Sequence, residues 1–269
     1  MLNYRSPKDT VRCVHALLKQ TIANQIEILV VDNHSEDDSI GTIRNRLGQF
    51  PNVRIIETPA NLGYGQGNGF GIQYAAGTYI FVTNPDNELE ASGLERMVQL
   101  MEKDSTIGIV APRLVHEDGS VRPSARAFPS LLDVIAKRTR LSAMLTKRMD
   151  RYLRRDADMQ HPTETDWTVG ACLLMRRATF EKLGGFDKRF FLFFEDTDLC
   201  RRMWEMGLRV LYDPTVTARD RKRRLSEGNT ISLFLRKTGR IHISSAIKYF
   251  WKWRGKSTPR GQLASVASS

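Results

Sequence analysis

The first 111 residues alternate between two hydrophobic periods, and this restricts the fold more than any other feature. Apolar runs bounded by polar breaks mark strands at Ile26–Val31, Val53–Glu57, Tyr79–Thr83 and Ile107–Ala111. Between them lie segments with helical spacing at Thr10–Gln20, Ser39–Phe50, Asn68–Ala76 and Ser92–Lys103. In the first of these, Val11, Val14, Leu17 and Leu18 share one face. Strands alternating with helices imply an α/β fold with a mainly parallel sheet covered on both faces. Such sheets bind ligands beyond the carboxyl ends of their strands. Two strands end there in acidic residues: Asp32-Asn33 closes one, and Asn84-Pro85-Asp86 closes another. Before the first helix stands only Met1-Leu2-Asn3-Tyr4, where a sheet of this type opens with a full strand. Two readings stay open: a stub strand, or a chain that begins late.

The second half is less regular. Residues 131–156 form a basic helical insertion. Trp167–Met175 reads as a strand, Asp196–Met206 as a helix and Leu208–Tyr212 as a strand. The expected division is a main domain over 1–225, a helical basic and aromatic segment over 226–256, and a small, polar, disordered tail over 257–269.

The net charge is +11 and is clustered: Lys137–Arg155, Arg219–Arg224 and Arg236–Lys256 carry most of it. Clusters of this kind suit phosphorylated ligands or an anionic membrane surface. No nucleic-acid partner is expected, because the clusters lack a recognition module. The three cysteines, Cys13, Cys172 and Cys200, are far apart and unpaired in spacing. This points to a reducing compartment with neither disulfides nor a zinc site. No apolar run approaches the roughly 20 residues of a membrane span.

Three further stretches carry candidate chemistry. Asn61–Gly71, NLGYGQGNGFG, places glycines before and within a helix start, where backbone can approach an anionic ligand closely. It lacks the lysine of a phosphate-binding P-loop. The carboxylate of Asp86 could hold Mg²⁺ or Mn²⁺, hard cations that keep several waters and so need few protein ligands. Glu195, Asp196 and Asp198 open a helix behind the aromatic run Phe190–Phe194. Burial beside aromatics would raise a carboxylate pKa toward that of a general base.

Taken in order, NYRS, VVDNHSEDDS, NLGYGQGNGFG, NPDNELE, WTVGACLLMRR and GGFDKRFFLFFEDTDLCRRMWEMG closely resemble the family-two glycosyltransferases, most of all the bacterial rhamnosyltransferase-like branch. The resemblance covers Asn3 to Asp220. It implies a GT-A fold, a nucleotide-diphospho-sugar donor, a divalent metal and inversion at the anomeric carbon. It places Asp32 and Asn33 at the nucleotide, Asn61, Gly63 and Asn68 along the donor pocket, and Asn84 and Asp86 in the DxD-like element, with Asp86 as metal ligand. Trp167, Gly170 and Ala171 would shape the acceptor side. Asp196, in the pair with Glu195, would be the catalytic base.

One departure concerns the residue after the last strand. Relatives carry a histidine there, and Arg219 stands in its place, able to face a diphosphate but not to ligate a metal. The expected activity is transfer of L-rhamnose from dTDP-rhamnose to a saccharide or lipid-linked saccharide in bacterial surface polysaccharide synthesis. The expected location is cytoplasmic, with peripheral attachment to the inner face of the plasma membrane. The short first strand and Arg219 support a second reading, a GT-A-fold protein that binds nucleotide sugar but transfers little or nothing.

Overall fold

The computed structural model describes residues 1–137, 141–155, 159–221 and 237–259. Its first layer contains β1 (Leu2–Asn3), α1 (Pro7–Leu17), β2 (Ile28–Asp32), α2 (Ser39–Leu47), β3 (Val53–Glu57) and α3 (Tyr64–Ile72). The three strands pair in parallel, in the order β1-β2-β3. In this chain β1 spans two residues, with Asn3 opposite Asp32 at the carboxyl end of β2. Core residues Val30, Ile43 and Leu47 are fully buried between this sheet and its helices.

Next come β4 (Tyr79–Thr83), β5 (Asn87–Leu89), α4 (Gly93–Lys103), β6 (Ile107–His116), β7 (Val121–Arg122) and β8 (Ala125–Arg126). The insertion follows as α5 (Leu131–Ala136), α6 (Leu141–Met144) and α7 (Thr146–Tyr152). The chain closes with β9 (Thr163–Glu164), β10 (Trp167–Thr168), β11 (Cys172–Arg176), α8 (Arg177–Lys182), α9 (Glu195–Glu205), β12 (Arg209–Asp220) and α10 (Lys237–Lys252). Strands β4-β11-β6-β12-β5 form the spine of a second, mixed sheet, with β6 and β12 parallel and the other neighbours of the spine antiparallel.

Three boundaries differ from the sequence expectation, each for a tertiary reason. The glycine-rich segment is not a loop ahead of a helix at Asn68. The helix begins at Tyr64 and contains the glycines. A Cβ on Gly71 would meet Val31 Cγ2 at 2.3 Å, so these glycines let α3 lie flat on β2. The apolar stretch at 167–175 breaks at Val169–Ala171, where the backbone turns to serve two partners described below. The strand expected at Leu208–Tyr212 runs on to Asp220, paired with β6 through a register shift. Of the C-terminal helix expected over Ile231–Trp253, Lys237–Lys252 is helical. The expected tail beyond 259, the basic residues 222–224, the helix start at 231–236, and Arg138 and Arg140 lie outside the described residues. No helix among the described residues is long and apolar enough to cross a membrane.

Candidate active site

The two acidic elements singled out in the sequence meet across one short backbone stretch. At its centre, the Gly170 N–H donates to Asp196 Oδ2 at 2.8 Å. One residue on, the Ala171 carbonyl accepts the Asn84 N–H at 2.9 Å and Asn87 Nδ2 at 3.3 Å. Gly170–Ala171 thus ties the start of α9 to the turn that carries Asp86. Gly170 is also tightly packed: a Cβ would lie 3.3 Å from both Asp196 Cβ and Tyr64 Cε1. Tyr64 donates its hydroxyl to the Gly170 carbonyl.

At the start of α9 the backbone is strained. Phe193 and Phe194 both adopt φ near +69°, in the left-handed region that non-glycine residues avoid. Their rings are held by α10: His242 lies 5.0 Å from Phe193 and 5.3 Å from Phe194, and Tyr249 lies 5.2 Å from Phe194. This strained turn aims Glu195 and Asp196 inward, where Glu195 is buried and Asp196 half-buried. Burial pushes the Asp196 carboxyl above its ordinary range. The N–H groups of Gly170 and Thr197 and the nearby Arg126 guanidinium oppose that push. Burial raises Glu195 well above its usual range, and the charge on Asp196 adds to this. Glu195 Oε2 has no hydrogen-bond partner, whereas both Asp196 oxygens accept backbone N–H groups. The pair is therefore asymmetric: two backbone N–H groups favour the charged form of Asp196, whereas burial and the neighbouring charge both disfavour the charged form of Glu195.

Asp198, one of the three acidic residues noted in the sequence, has a structural task instead. Its buried carboxylate accepts Arg202 Nε at 2.8 Å, Lys252 Nζ at 2.6 Å and Trp253 Nε1 at 3.0 Å. Lys252 also pairs with Asp187 at 2.6 Å. Through these contacts α10 and the residue after it are fastened to the helix that presents Asp196.

The Asn84–Asp86 turn is a different environment. Asp86 is half-buried, and its carbonyl accepts the Arg221 N–H at 3.1 Å. Asn84 Oδ1 and Asn87 Oδ1 are buried without hydrogen-bond partners. Asn87 is in register with Asp220, whose Oδ1 is likewise buried without a partner. Unpartnered oxygen atoms in and next to the turn that carries Asp86 are of the hard type that Mg²⁺ or Mn²⁺ prefers. Among the described residues no three His, Cys, Asp or Glu side chains gather as a complete ion cage. The turn thus suits a cation that takes most of its ligands from water and a bound diphosphate.

Along the donor side, Asn33 Nδ2 donates to Asn61 Oδ1 at 2.9 Å, and that oxygen also accepts the Gly63 N–H at 3.0 Å. Gly63 has φ 78° and ψ −175°, a conformation essentially reserved for glycine. A Cβ there would lie 2.0 Å from the Phe191 carbonyl, which accepts the Tyr64 N–H at 2.8 Å. The donor-side loop therefore touches the loop that leads to Asp196. Asn68 is buried inside α3 and donates to the Tyr64 carbonyl. Asp32 is buried, with its carboxylate accepting Asn3 Nδ2, Ser35 Oγ and the Ser35 N–H.

Two expected positions fall outside this cluster. Trp167 is buried, its indole N–H donating to the Ala127 carbonyl at 2.7 Å and Arg126 stacked on its ring at 5.0 Å. Arg219 is exposed on β12, opposite Glu88, and the cation beside the Asp86 turn is Arg221, whose Nε lies 2.6 Å from Glu88. The sequence reading missed Tyr64, Arg126 and Arg221. Tyr64 lies inside the glycine-rich stretch and could have been singled out there. Arg126 sits in SVRPSARAFP, which has no periodic or motif signal.

An α/β scaffold thus carries acidic residues at its strand ends and, at a helix start, a buried glutamate beside a half-buried aspartate. The family model for "Glycosyl transferase family 2" matches residues 1–184, and the chain belongs to that family. A relative from Mycobacterium tuberculosis, N-acetylglucosaminyl-diphospho-decaprenol L-rhamnosyltransferase, is 30% identical over 96% of this chain and 88% of its own length. Rhamnosyltransferase WbbL of Escherichia coli is 27% identical over 71% of each chain. Among solved structures, GalNAc-T7 with UDP, GalNAc and Mn²⁺ superposes with a TM-score of 0.63 at 18% identity, covering 83% of this chain and 43% of that one. These comparisons make the protein a glycosyltransferase with the GT-A fold expected from its sequence.

Proposed function

We propose that this enzyme transfers L-rhamnose from dTDP-L-rhamnose to a lipid-linked saccharide, with inversion, during synthesis of a bacterial surface polysaccharide. The observation that carries the reading is the Gly170–Ala171 bridge, which sets the half-buried Asp196 and an oxygen-rich turn on either side of one backbone segment. The sugar and the lipid-diphosphate acceptor follow the M. tuberculosis relative, which matches nearly the whole chain.

In this mechanism Asp196 accepts the proton of the acceptor hydroxyl as that oxygen attacks the anomeric carbon. Its raised pKa makes it a stronger base than an exposed aspartate. Glu195 keeps its proton, so the pair carries one negative charge rather than two. Tyr64, held neutral by burial and by the two carboxylates, fixes the Gly170 carbonyl and with it the N–H that orients Asp196. Asn33, Asn61 and Gly63 position the donor's nucleotide side, and Trp167, Gly170 and Ala171 back the acceptor side. Asp86, with Asn84 beside it, would hold a divalent cation, which when bound supplies positive charge to the departing diphosphate. Arg221 and Arg219 add positive charge on the same edge. Such an enzyme works at the inner face of the plasma membrane, where lipid-linked acceptors reside.

Turnover assays on purified protein with a panel of nucleotide sugars, Mg²⁺ or Mn²⁺, and lipid-diphospho-saccharide acceptors test the proposal. Metal-dependent release of dTDP from dTDP-L-rhamnose alone is expected. Turnover with a different donor overturns the sugar assignment. A folded protein that turns over none of them is the weakened binding protein.

A further inference from the structure

The C-terminal helix has two apolar faces, and the fold uses one. Ala246, Tyr249 and Trp253 point inward, where with Phe190 and Phe194 they form a buried cluster. Ile247 and Trp251 lie on the other side and are 63% and 68% exposed. The insertion also exposes apolar side chains while packing on the same buried cluster. Val134 of α5 packs on the same buried cluster, and Arg201 lies between Phe128, just ahead of α5, and Trp253. On the outside of α5, Leu131, Leu132 and Ile135 are exposed. Two neighbouring helices from distant parts of the chain thus expose five large apolar side chains.

The charge around this face identifies its occupant. Residues 237–256 contain six lysines and arginines and no acidic residue. Arg240, Arg254 and Lys256 are exposed, and Arg254 stacks on Trp251 at 3.9 Å. An exposed tryptophan flanked by arginine and lysine suits the headgroup layer of a bilayer. The same cations attract anionic lipid and repel a second copy of a chain that carries +11. We propose that α5 and α10 together dock the enzyme on an anionic membrane surface, with Ile247 and Trp251 entering the headgroup region. The docking helix is the one that braces Phe193, Phe194 and Asp198, so the surface that meets the membrane is fastened directly to the element presenting Asp196. The proposal deepens the lipid-linked acceptor reading, yet it is measured without donor or acceptor.

The test is co-sedimentation of the full chain with phosphatidylcholine vesicles, with and without phosphatidylglycerol. Pelleting with the anionic vesicles only, weakened by added salt, is expected. The double variant Ile247→Ser, Trp251→Ser should bind at least about tenfold more weakly, because two exposed apolar side chains lose their burial. Leu132→Ser with Ile135→Ser should weaken binding in the same direction. Both variants should keep the wild-type circular dichroism and melting curve, since the replaced side chains are solvent-facing. A wild-type protein that stays in the supernatant overturns the proposal, as do variants that pellet like the wild type. A wild-type dimer in sedimentation velocity that the Trp251 variant abolishes also overturns it, because a second copy then covers the face. Failure here with intact rhamnosyl transfer separates this proposal from the catalytic one.

Discussion

The turn at Asn84–Asp86 and the helix start at Phe193–Asp196 are both acidic, yet they are built in opposite ways. The turn is half-open and relaxed, and it holds buried oxygen atoms whose hydrogen bonds are unmade. The helix start is strained, with Glu195 buried and Asp196 half-buried, and Asp196 is already oriented by two backbone N–H groups. A site that takes its cation and diphosphate from solution can leave ligand positions open. A base that must meet one hydroxyl cannot be left to find its own orientation. The lesson is that strain and buried charge collect on the side where the protein supplies the chemistry itself.

That contrast can be broken most directly at Asp196. Asp196→Asn keeps the shape and removes the base, so kcat should fall about 10³-fold, about 4 kcal/mol, with unchanged nucleotide affinity. An equal loss of donor binding in calorimetry would erase the division of labour. Asp86→Ala should cost about 10²-fold in turnover and abolish the response to added Mn²⁺ in the same assay. Gly63→Ala probes the contact between the two sides. A side chain in this glycine-only conformation, against the Phe191 carbonyl, should destabilise the fold by about 2–3 kcal/mol in urea unfolding.

Lys252→Met tests whether the brace from α10 holds the strained side. Arg202 still neutralises the buried Asp198, so the loss should be about 2 kcal/mol rather than the larger cost of stranding a charge. The smallest effect has the opposite sign. Glu195 holds its proton more tightly folded than unfolded, so its contribution to stability is complete at low pH and drains away as pH rises. Glu195→Gln should therefore leave the melting temperature unchanged near pH 4 and raise it at pH 8. The wild-type rate should fall as pH drops through the raised pKa of Asp196, above the usual aspartate range near about 4.

The two sides also differed in how legible they were. Asp32, Asp86 and the alternating strands were readable because the turn side is local: a strand ends, a polar turn follows, and period and composition record both. The pairing of Asp196 with Glu195 was readable as an acidic helix start. The means of its orientation was not, because Gly170, Tyr64 and Arg126 reach it from 26 to 132 positions away in sequence terms. Nothing in SVRPSARAFP marks Arg126 as a buried cation. Nothing in DTDL distinguishes the anchoring Asp198 from Asp196, which faces Gly170.

By itself the sequence determined the α/β alternation, the strand ends that carry acidic residues and the family resemblance, since these depend on hydrophobic period and on short ordered motifs. Tertiary structure alone decided that Gly67 and Gly71 of α3 serve packing, that Glu195 and Asp196 sit in different electrostatic surroundings, and that α10 both braces the Phe193–Asp198 segment and exposes apolar side chains. Each of those outcomes depends on which distant backbone or side chain lies within a few ångströms, and burial and charge proximity are properties of the folded chain.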